Sequence, residues 1–276
     1  MKFFYTTSLI VLLGVLSRTS AAASGVLWLY ALEQDEPAFA KEVGQPLRVV
    51  DLASVRAPEY RSGTHRVLAV RMGAGCARTA AVVAAALARF PCDRILTTGV
   101  AGTLDDAVAR PGDWVQVAKV VAWQQGAWNP EGFARAAAAE TRVDGGGGPA
   151  GEWLQFPAVG SASGEGFVAS TAFRQDLLRD TGCAVVEMNL FGLHAALGDR
   201  KLPCLHLRVV SDRADDRAQD DFRAFARAYD GRGGRLAAAW VRALPADDKS
   251  PSAYPALRGL LDGEKAPAAA GQAGRP

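Results

Sequence analysis

The sequence predicts an α/β fold: a single domain with a mainly parallel, mixed central sheet flanked by helices. Continuous apolar runs of strand length recur along the chain, which is typical of strands buried on both faces. Segments with helical spacing of apolar residues lie between these runs, so strand and helix alternate. Strands are predicted at 25–32, 65–72, 93–100, 113–123, 184–189 and 204–212, and helices at 78–90, 170–182, 189–199 and 220–244.

The two ends of the chain are predicted to lie outside this domain. Residues 1–23 have the layout of a secretory signal peptide, with Lys2 before an apolar stretch and small residues suited to cleavage after Ala23. The apolar stretch is short for a membrane span, which leaves an uncleaved anchor as the alternative. We expect an exported protein, periplasmic or secreted, with no membrane contact after signal removal. The predicted domain covers residues 24–244, followed by a disordered tail at 245–276, and 143–152 is predicted to be a flexible loop.

Charge and residue spacing exclude several classes of function. The chain has a formal net charge of +2, and residues 1–23 contain two cations and no acid, so the mature chain is neutral. Without a basic cluster, the sequence lacks the electrostatic footprint of a nucleic-acid-binding protein. The histidines and cysteines have no metal-ligand spacing, so no metal or other cofactor is predicted. The cysteines are predicted to be buried thiols, with a Cys183–Cys204 disulfide as the alternative in an exported protein.

Polar and glycine-rich residues gather where the predicted strands end. In a parallel sheet the carboxyl ends meet at one edge, which is where α/β proteins bind ligands. Glu187 and Asn189 follow an apolar strand, and an unpartnered buried polar group costs a few kcal/mol, so both need partners in the protein or in a ligand with hydroxyls. Asp212 ends the last strand, where it fits a helix cap as well as a catalyst. The segments expected at this edge are 33–36, 73–75, 99–102, 187–189 and 211–212.

A dinucleotide-binding turn is the competing interpretation of the glycines after the second strand. Gly73 and Gly75 follow a strand and open a helix, but Arg78 stands where a third glycine is required. The next strand carries its acid, Asp93, at its beginning and not at its end. Nicotinamide or flavin binding is therefore a minor alternative, and a tight strand-to-helix turn explains these glycines equally well.

Six motifs, in order, resemble those of the nucleoside phosphorylase/nucleosidase superfamily, and most of all its methylthioadenosine/S-adenosylhomocysteine nucleosidases. The likeness extends over residues 26–244, nearly the whole predicted domain. The motifs are ALEQDE (31–36), MGAGCARTAAVVAAAL (72–87), TTGVAGTLDDAVARPGDWVQV (97–117), SGEGFV (163–168), VVEMN (185–189) and RVVSDRAD (208–215).

The resemblance implies a role for each matching position. Asp212 would be the general acid that protonates the leaving purine at N7, and Ser211 would orient it. Phe167 would lie against the purine face while the backbone of Val168 reads its edge. The resemblance also places Glu187, Met188 and Asn189 around the ribose, and Val100, Ala101 and Gly102 in the same substrate pocket.

The resemblance further implies that Asp35 and Arg208 position a nucleophilic water, with Glu36 as a register alternative to Asp35. The segment YALEQDEPAF lacks the glycine–arginine motif of phosphorylases, and its carboxylates would repel phosphate, so hydrolysis is favoured over a phosphate-dependent reaction. The partners implied are a small-molecule nucleoside and a second copy of the chain, in a homodimer.

Two positions depart from the family pattern. Asn189 stands where the family has a glutamate that holds the ribose diol, and an amide lacks the charge that strengthens such a hydrogen bond. Val100 replaces a serine expected near the water. A non-catalytic descendant that binds or stores a nucleoside therefore stays open as an alternative.

Overall fold

The computed structural model describes residues 25–52, 54–136, 140–143 and 156–244. Within them the chain forms twelve strands and six helices. The strands are β1 (Gly25–Tyr30), β2 (Arg48–Asp51), β3 (Arg56–Ser62), β4 (His65–Arg71), β5 (Arg94–Thr103), β6 (Trp114–Ala122), β7 (Gly126–Asn129), β8 (Gly132–Arg135), β9 (Glu140–Arg142), β10 (Ala158–Ser163), β11 (Val185–Glu187) and β12 (Cys204–Asp212). The helices are α1 (Asp35–Val43), α2 (Cys76–Arg89), α3 (Thr171–Thr181), α4 (Leu190–Leu197), α5 (Ala218–Ala228) and α6 (Arg232–Ala243).

One large mixed sheet organises the domain. Its strand order is β11-β10-β6-β12-β5-β1-β4-β3-β2, with β9 paired to β6. The central strands β12, β5, β1 and β4 are mutually parallel, so their carboxyl ends lie at one edge. β7 and β8 form a separate hairpin. The predicted α/β class, with a mainly parallel but mixed sheet, is confirmed.

Five of the strands close into a ring. β5 pairs with β12, β12 with β6, β6 with β10, β10 with β11, and β11 returns to pair with β5 in antiparallel fashion. The closing contact joins Val185 to Thr103 and Val186 to Gly102. The ring therefore brings the ends of β5, β11 and β12 together, and these strands carry three of the motifs noted in the sequence.

Burial on both faces explains why the sequence of β1 is a continuous apolar run. All six residues of β1 are buried. Trp28 and its alternate neighbours face the side covered by α1 and α6, while Leu27 and Leu29 face the side covered by α2 and α4. Because both faces of the strand are covered, both sets of side chains must be apolar.

The last predicted helix, 220–244, is two helices in the structure. α5 ends at Ala228, and Gly231, with a φ of +79°, directly precedes α6. Glycines let α6 approach α1 closely, since a Cβ on Gly234 would lie 1.9 Å from the carbonyl oxygen of Asp35. The apolar periodicity continues through the break, so the pattern alone did not reveal this corner.

The remaining predictions concern the two chain termini, the loop at 143–152 and the four cysteines. The predicted signal peptide, the tail at 245–276, and residues 144–152 of the predicted flexible loop lie outside the described residues. In the part that is described, no helix has the length and apolar character needed to cross a membrane. No disulfide forms: Cys76, Cys183 and Cys204 are buried and Cys92 is half-buried, so the prediction of buried thiols holds for three of the four.

Candidate active site

A cavity of about 460 Å³ opens at the carboxyl edge of the sheet. Ten of the twelve residues predicted for the site line it, and the other two, Asp35 and Arg208, do not. The ten are Val100, Ala101, Gly102, Phe167, Val168, Glu187, Met188, Asn189, Ser211 and Asp212.

Asp212 ends β12 and is almost wholly buried, at 2 % exposure. Its Oδ2 accepts a hydrogen bond from the Ser211 hydroxyl at 2.7 Å, and its Oδ1 accepts one from the backbone amide of Ala214 at 2.9 Å. Burial raises the pKa of Asp212 above its usual range, although these two donors stabilise the carboxylate and oppose the rise. The cavity therefore contains a carboxyl group that binds its proton more tightly than an exposed aspartate does.

The backbone around Asp212 is shaped to hold that carboxyl group. Ala214 has a φ of +51°, a left-handed conformation that is unusual for a residue other than glycine. This conformation directs its amide at Asp212, while its carbonyl oxygen accepts from the amide of Ser170 at 3.3 Å. Next to Ala214, a Cβ on Gly102 would lie only 2.7 Å from Oδ1 of Asp212. The absence of a side chain at Gly102 therefore leaves room for the carboxylate.

Glu187 ends β11, and its carboxylate already has protein partners. It accepts hydrogen bonds from the backbone amides of Asn189 and Leu190, at 2.9 and 3.1 Å, at the start of α4. Its Oε2 also lies 3.1 Å from a guanidinium nitrogen of Arg208, and both side chains are about 1 % exposed. A buried pair of this kind is costly to break, because removing one partner leaves an uncompensated charge.

Arg208 lies behind the cavity wall. One terminal nitrogen donates to the Thr97 hydroxyl and to the carbonyl oxygen of Leu207, both at 2.9 Å. Its position in β12 is fully buried, and Gly99 on β5 lies beside the guanidinium. Arg208 thus contacts the cavity through Glu187, and its side chain is not among those that line it.

Asn189 also has protein partners for its amide group. Its Nδ2 donates to the carbonyl oxygen of Gly73 and to the Thr79 hydroxyl, each at 2.8 Å. These bonds tie the start of α4 to the turn before α2. The buried polar groups after β11 therefore find most of their hydrogen-bond partners within the protein. The exception is the amide oxygen of Asn189, which accepts no hydrogen bond among the described residues.

Apolar groups form the remaining walls. Phe167 is 42 % exposed and lies 5.8 Å from the ring of Phe222, centroid to centroid. Met188 lines the wall between Glu187 and Asn189. An exposed aromatic ring at the mouth of a cavity offers a stacking surface for a flat heterocycle.

Asp35 lies outside the cavity lining, at the start of α1, and is fully buried. Its Oδ1 accepts from the Tyr229 hydroxyl at 2.8 Å and from the amide of Gly234 at 3.1 Å, while Oδ2 is buried without a hydrogen-bond partner. Burial raises the pKa of Asp35 to about 7. Glu36, its register alternative, accepts a hydrogen bond from the Tyr60 hydroxyl. The geometry gives neither acid a place in the cavity lining.

Sequence reasoning missed several lining residues. Phe222 comes from α5, ten positions after Asp212, where the helical spacing indicated only an amphipathic face. Arg71 is the last residue of β4 and Leu32 follows β1, so both lie at strand ends where only neighbouring residues had been predicted. The other additions are Ala31, Gly166 and Val186, whereas Gly73 and Ala74 belong to the segment 73–75 that was expected at this edge. Within the described ranges, no group of three or more metal-binding side chains is present.

Comparisons with known proteins agree with this geometry. The profile of the Phosphorylase superfamily matches residues 29–143 and 134–242. No curated protein matches the chain by sequence.

Solved structures with the same fold include nucleosidases. The 5′-methylthioadenosine/S-adenosylhomocysteine nucleosidase of Helicobacter pylori is 17% identical, with a TM-score of 0.69, over 80% of this chain and 99% of that one. The S-adenosylhomocysteine nucleosidase of Streptococcus pyogenes is 20% identical, with a TM-score of 0.69, over 81% and 98%. The futalosine hydrolase of Helicobacter pylori strain 26695 is 18% identical, with a TM-score of 0.67, over 79% and 98%. At these identities the likeness is one of fold.

Proposed function

Because the chain belongs to the Phosphorylase superfamily, we propose that it is an enzyme that hydrolyses the N-glycosidic bond of a purine nucleoside, either unsubstituted or carrying a 5′ substituent. The observation that carries the proposal is the buried carboxyl group of Asp212, with its raised pKa, inside a cavity of nucleoside size. The solved structures of similar fold named above support it, since two of them are nucleosidases and the third is a futalosine hydrolase by name.

Asp212 acts as the general acid. Its proton passes to N7 of the purine while the bond between C1′ of the ribose and the base breaks, so that the base leaves neutral. Water then adds to C1′ and releases a proton to solvent, from which Asp212 regains the proton that it gave to the base. A positioned acid of suitable pKa contributes roughly 10²–10⁴-fold to such a step. The Ser211 hydroxyl, 2.7 Å from Asp212, fixes the orientation of the carboxyl group.

The purine lies between Asp212 and the exposed ring of Phe167, with Val168 at its edge. Ring stacking of this kind contributes about 0.5–1.5 kcal/mol beyond the burial of the ring. The ribose lies over Met188, next to Asn189. Because the Asn189 amide nitrogen is held by Gly73 and Thr79, its oxygen is the group offered to a ribose hydroxyl.

Glu187 and Arg208 have a positioning role in this scheme. The carboxylate of Glu187 fixes the start of α4, which carries Asn189, and Arg208 neutralises its charge at 3.1 Å. Asp35 was predicted to help position the water, and that role has no geometric support, because its carboxylate is directed to Tyr229 and Gly234.

The direct test is a nucleoside panel with and without phosphate, monitored by release of free base. Base release without phosphate is expected, and phosphate-dependent release would indicate a phosphorylase instead. Binding without release, next to an active control enzyme, would support the non-catalytic alternative.

The decisive variant is Asp212→Asn, which keeps the shape of the side chain but removes its proton. We expect kcat to fall about 10²–10⁴-fold, with nucleoside binding retained in calorimetry. The matched control is Asp220→Asn, which alters an exposed carboxylate paired only with Arg223 at the surface. Equal activity of Asp212→Asn and the control would contradict the proposal.

A further inference from the structure

The cavity has two chemically distinct ends. Asp212 marks one end, where Gly102 lies against its carboxylate. Asn189 lies toward the other end, because its amide nitrogen is bonded to the carbonyl oxygen of Gly73, which follows β4, and β5 and β1 separate β4 from β12 in the sheet. With the base at Asp212 and the ribose near Asn189, as in the proposed function, the 5′ carbon is directed to the lining beyond Asn189.

That lining contains one charged side chain. Arg71 ends β4, two residues before Gly73, and pairs in register with Tyr30 of β1. The residues that follow Tyr30 in the lining, Ala31 and Leu32, are apolar. Of the described residues that line the cavity, Arg71 is the one that carries a positive charge.

The guanidinium of Arg71 is available to a ligand. Its side chain is 49% exposed, and the ion pair that it makes, with Glu33 at 3.4 Å, involves a carboxylate that is 70% exposed. Ion pairs this exposed contribute little to stability and are readily exchanged for another partner. The exposed contact with Glu33 therefore leaves Arg71 free to exchange partners, whereas the buried contact with Glu187 holds Arg208 in place.

No other charge in the lining balances Arg71. Glu187 is neutralised by Arg208, and Asp212 carries a proton in the proposed mechanism. A guanidinium presents a planar fork of donors that matches a carboxylate or a phosphate and binds either with two hydrogen bonds. An anionic group is thus the chemistry that fits this end of the cavity.

We propose that Arg71 forms an anion subsite at the mouth of the cavity, and that the natural substrate is a nucleoside whose 5′ substituent carries a carboxylate or phosphate group. The inference rests on the proposed function for its orientation. Glu33 competes for the same guanidinium, so it holds Arg71 in place when the subsite is empty and weakens binding of the anion.

The test compares kcat/KM for neutral and anionic nucleosides with the purified full chain. The neutral set is adenosine and inosine, and the anionic set is their 5′-monophosphates and 5′-carboxylates. We expect the ratio of anionic to neutral kcat/KM to fall about 10-fold or more in Arg71→Gln, since a hydrogen bond to a charged group is lost. The same ratio should rise severalfold in Glu33→Gln, which removes the competitor.

Arg78→Gln is the matched control, because Arg78 is an exposed arginine beside the same turn and does not line the cavity. Its ratio should stay within about twofold of the parent. Turnover of neutral nucleosides with a ratio that is insensitive to Arg71 would overturn the anion subsite and leave the proposed function standing.

Two further measurements separate the other outcomes. Arg71-dependent stimulation of neutral substrates by inorganic phosphate would assign the subsite to free phosphate, and would overturn the 5′-anion proposal. If no nucleoside is hydrolysed, the proposed function fails, and calorimetry still tests the subsite: adenosine 5′-monophosphate should bind more tightly than adenosine, and Arg71→Gln should remove the difference. Equal binding of the two by the parent chain would overturn it.

Discussion

At the scale of single residues, the chemistry depends on how Asp212 keeps its proton. Burial favours the neutral form of the carboxyl group, whereas the donors from Ser211 and Ala214 favour the carboxylate. The balance leaves the pKa raised, so that more of the acid is protonated near neutral pH than an exposed aspartate would be. Ser211 therefore adjusts the pH range of activity as well as the orientation of the acid.

We expect kcat/KM to decline as pH rises through the raised pKa of Asp212, because only the protonated form can act as the acid. In Ser211→Ala the loss of the hydroxyl donor should raise this pKa further and shift the alkaline limb of the profile to higher pH. Profiles of the two proteins measure the shift. A limb that moves to lower pH would contradict the assigned hydrogen bond.

Gly102 leaves no space for a side chain beside Asp212. The Cβ of Gly102→Ala would lie 2.7 Å from Oδ1 of Asp212 and 3.1 Å from the Cβ of Ala214, so the carboxyl group must move. We expect kcat to drop at least 10-fold, since a small displacement of a catalytic group is expensive. Gly166→Ala is the comparison, because its nearest neighbour is a Trp123 side-chain atom at an ordinary 3.6 Å. Similar kcat in the two variants would show that catalysis tolerates a displacement of the Asp212 carboxyl group.

Asn189 stabilises the fold as a donor. Asn189→Asp has the same shape but cannot donate to Gly73 and Thr79, and it places a negative charge against a carbonyl oxygen. We expect a loss of about 1–3 kcal/mol in the free energy of unfolding, measured by urea denaturation. Asn129→Asp should change little, because that exposed side chain uses its oxygen as an acceptor for the Glu131 amide.

At the scale of secondary-structure elements, Asp35 joins two helices. It begins α1 and accepts the amide of Gly234 in the first turn of α6, so one carboxylate lies at two helix N-termini. Helix N-termini favour negative charge, yet burial dominates here and raises the pKa of Asp35 to about 7. The junction of α1 and α6 therefore depends on pH.

Stability should fall as pH rises from about 4 to 7, because in this range the folded state binds one more proton at Asp35 than the unfolded chain does. Asp35→Asn removes that proton exchange. Relative to the parent, the variant should gain stability with rising pH, by up to about 4 kcal/mol, in urea unfolding at both ends of the range.

Asp51→Asn, which alters an exposed carboxylate on β2, serves as the control for this experiment and should show no such trend. A constant difference between parent and Asp35→Asn across the pH range would mean that Asp35 is charged in the folded state.

The elements that were predicted well from the sequence are those that are buried on all sides. β1, β4, β5 and β12 are buried on both faces, which a continuous apolar run identifies. The edge strand β2 and its neighbour β3 escaped notice because many of their residues are exposed or polar, as in Arg56–Ser62. α1 was missed because Asp35 and its polar neighbours resemble a loop, although they face the core through α6.

At the scale of the whole molecule, the site could be predicted where strand ends carry unusual residues. Ten predicted residues meet in one cavity because β11 and β12 both pair with the last residues of β5. Asp35 follows β1, which ends beside β5, but its carboxylate is bonded to Tyr229 and Gly234 and does not line the cavity. Phe222 and Arg71 enter the site through long-range packing, for which a single sequence holds no signal.

Export is a further prediction for the whole chain. Expressed from its full sequence in a Gram-negative host, the protein should appear in the periplasm or medium and begin at Ser24, since cleavage is expected after Ala23. Intact mass measurement of the fractionated protein checks this. A cytoplasmic protein that retains its first 23 residues would be incompatible with a cleaved signal.

The strands of the closed ring, β5, β12, β6, β10 and β11, should open less readily than the strands on the open side of the sheet. A strand inside the ring has hydrogen-bonded neighbours on both sides, whereas β2 ends the open side of the sheet. Amide protons of β2 should therefore exchange with solvent long before those of β12. The acid is thus held in the slowly opening ring, whereas Arg71 ends β4 on the open side of the sheet, so substrate preference can drift through sequence change while proton transfer is kept.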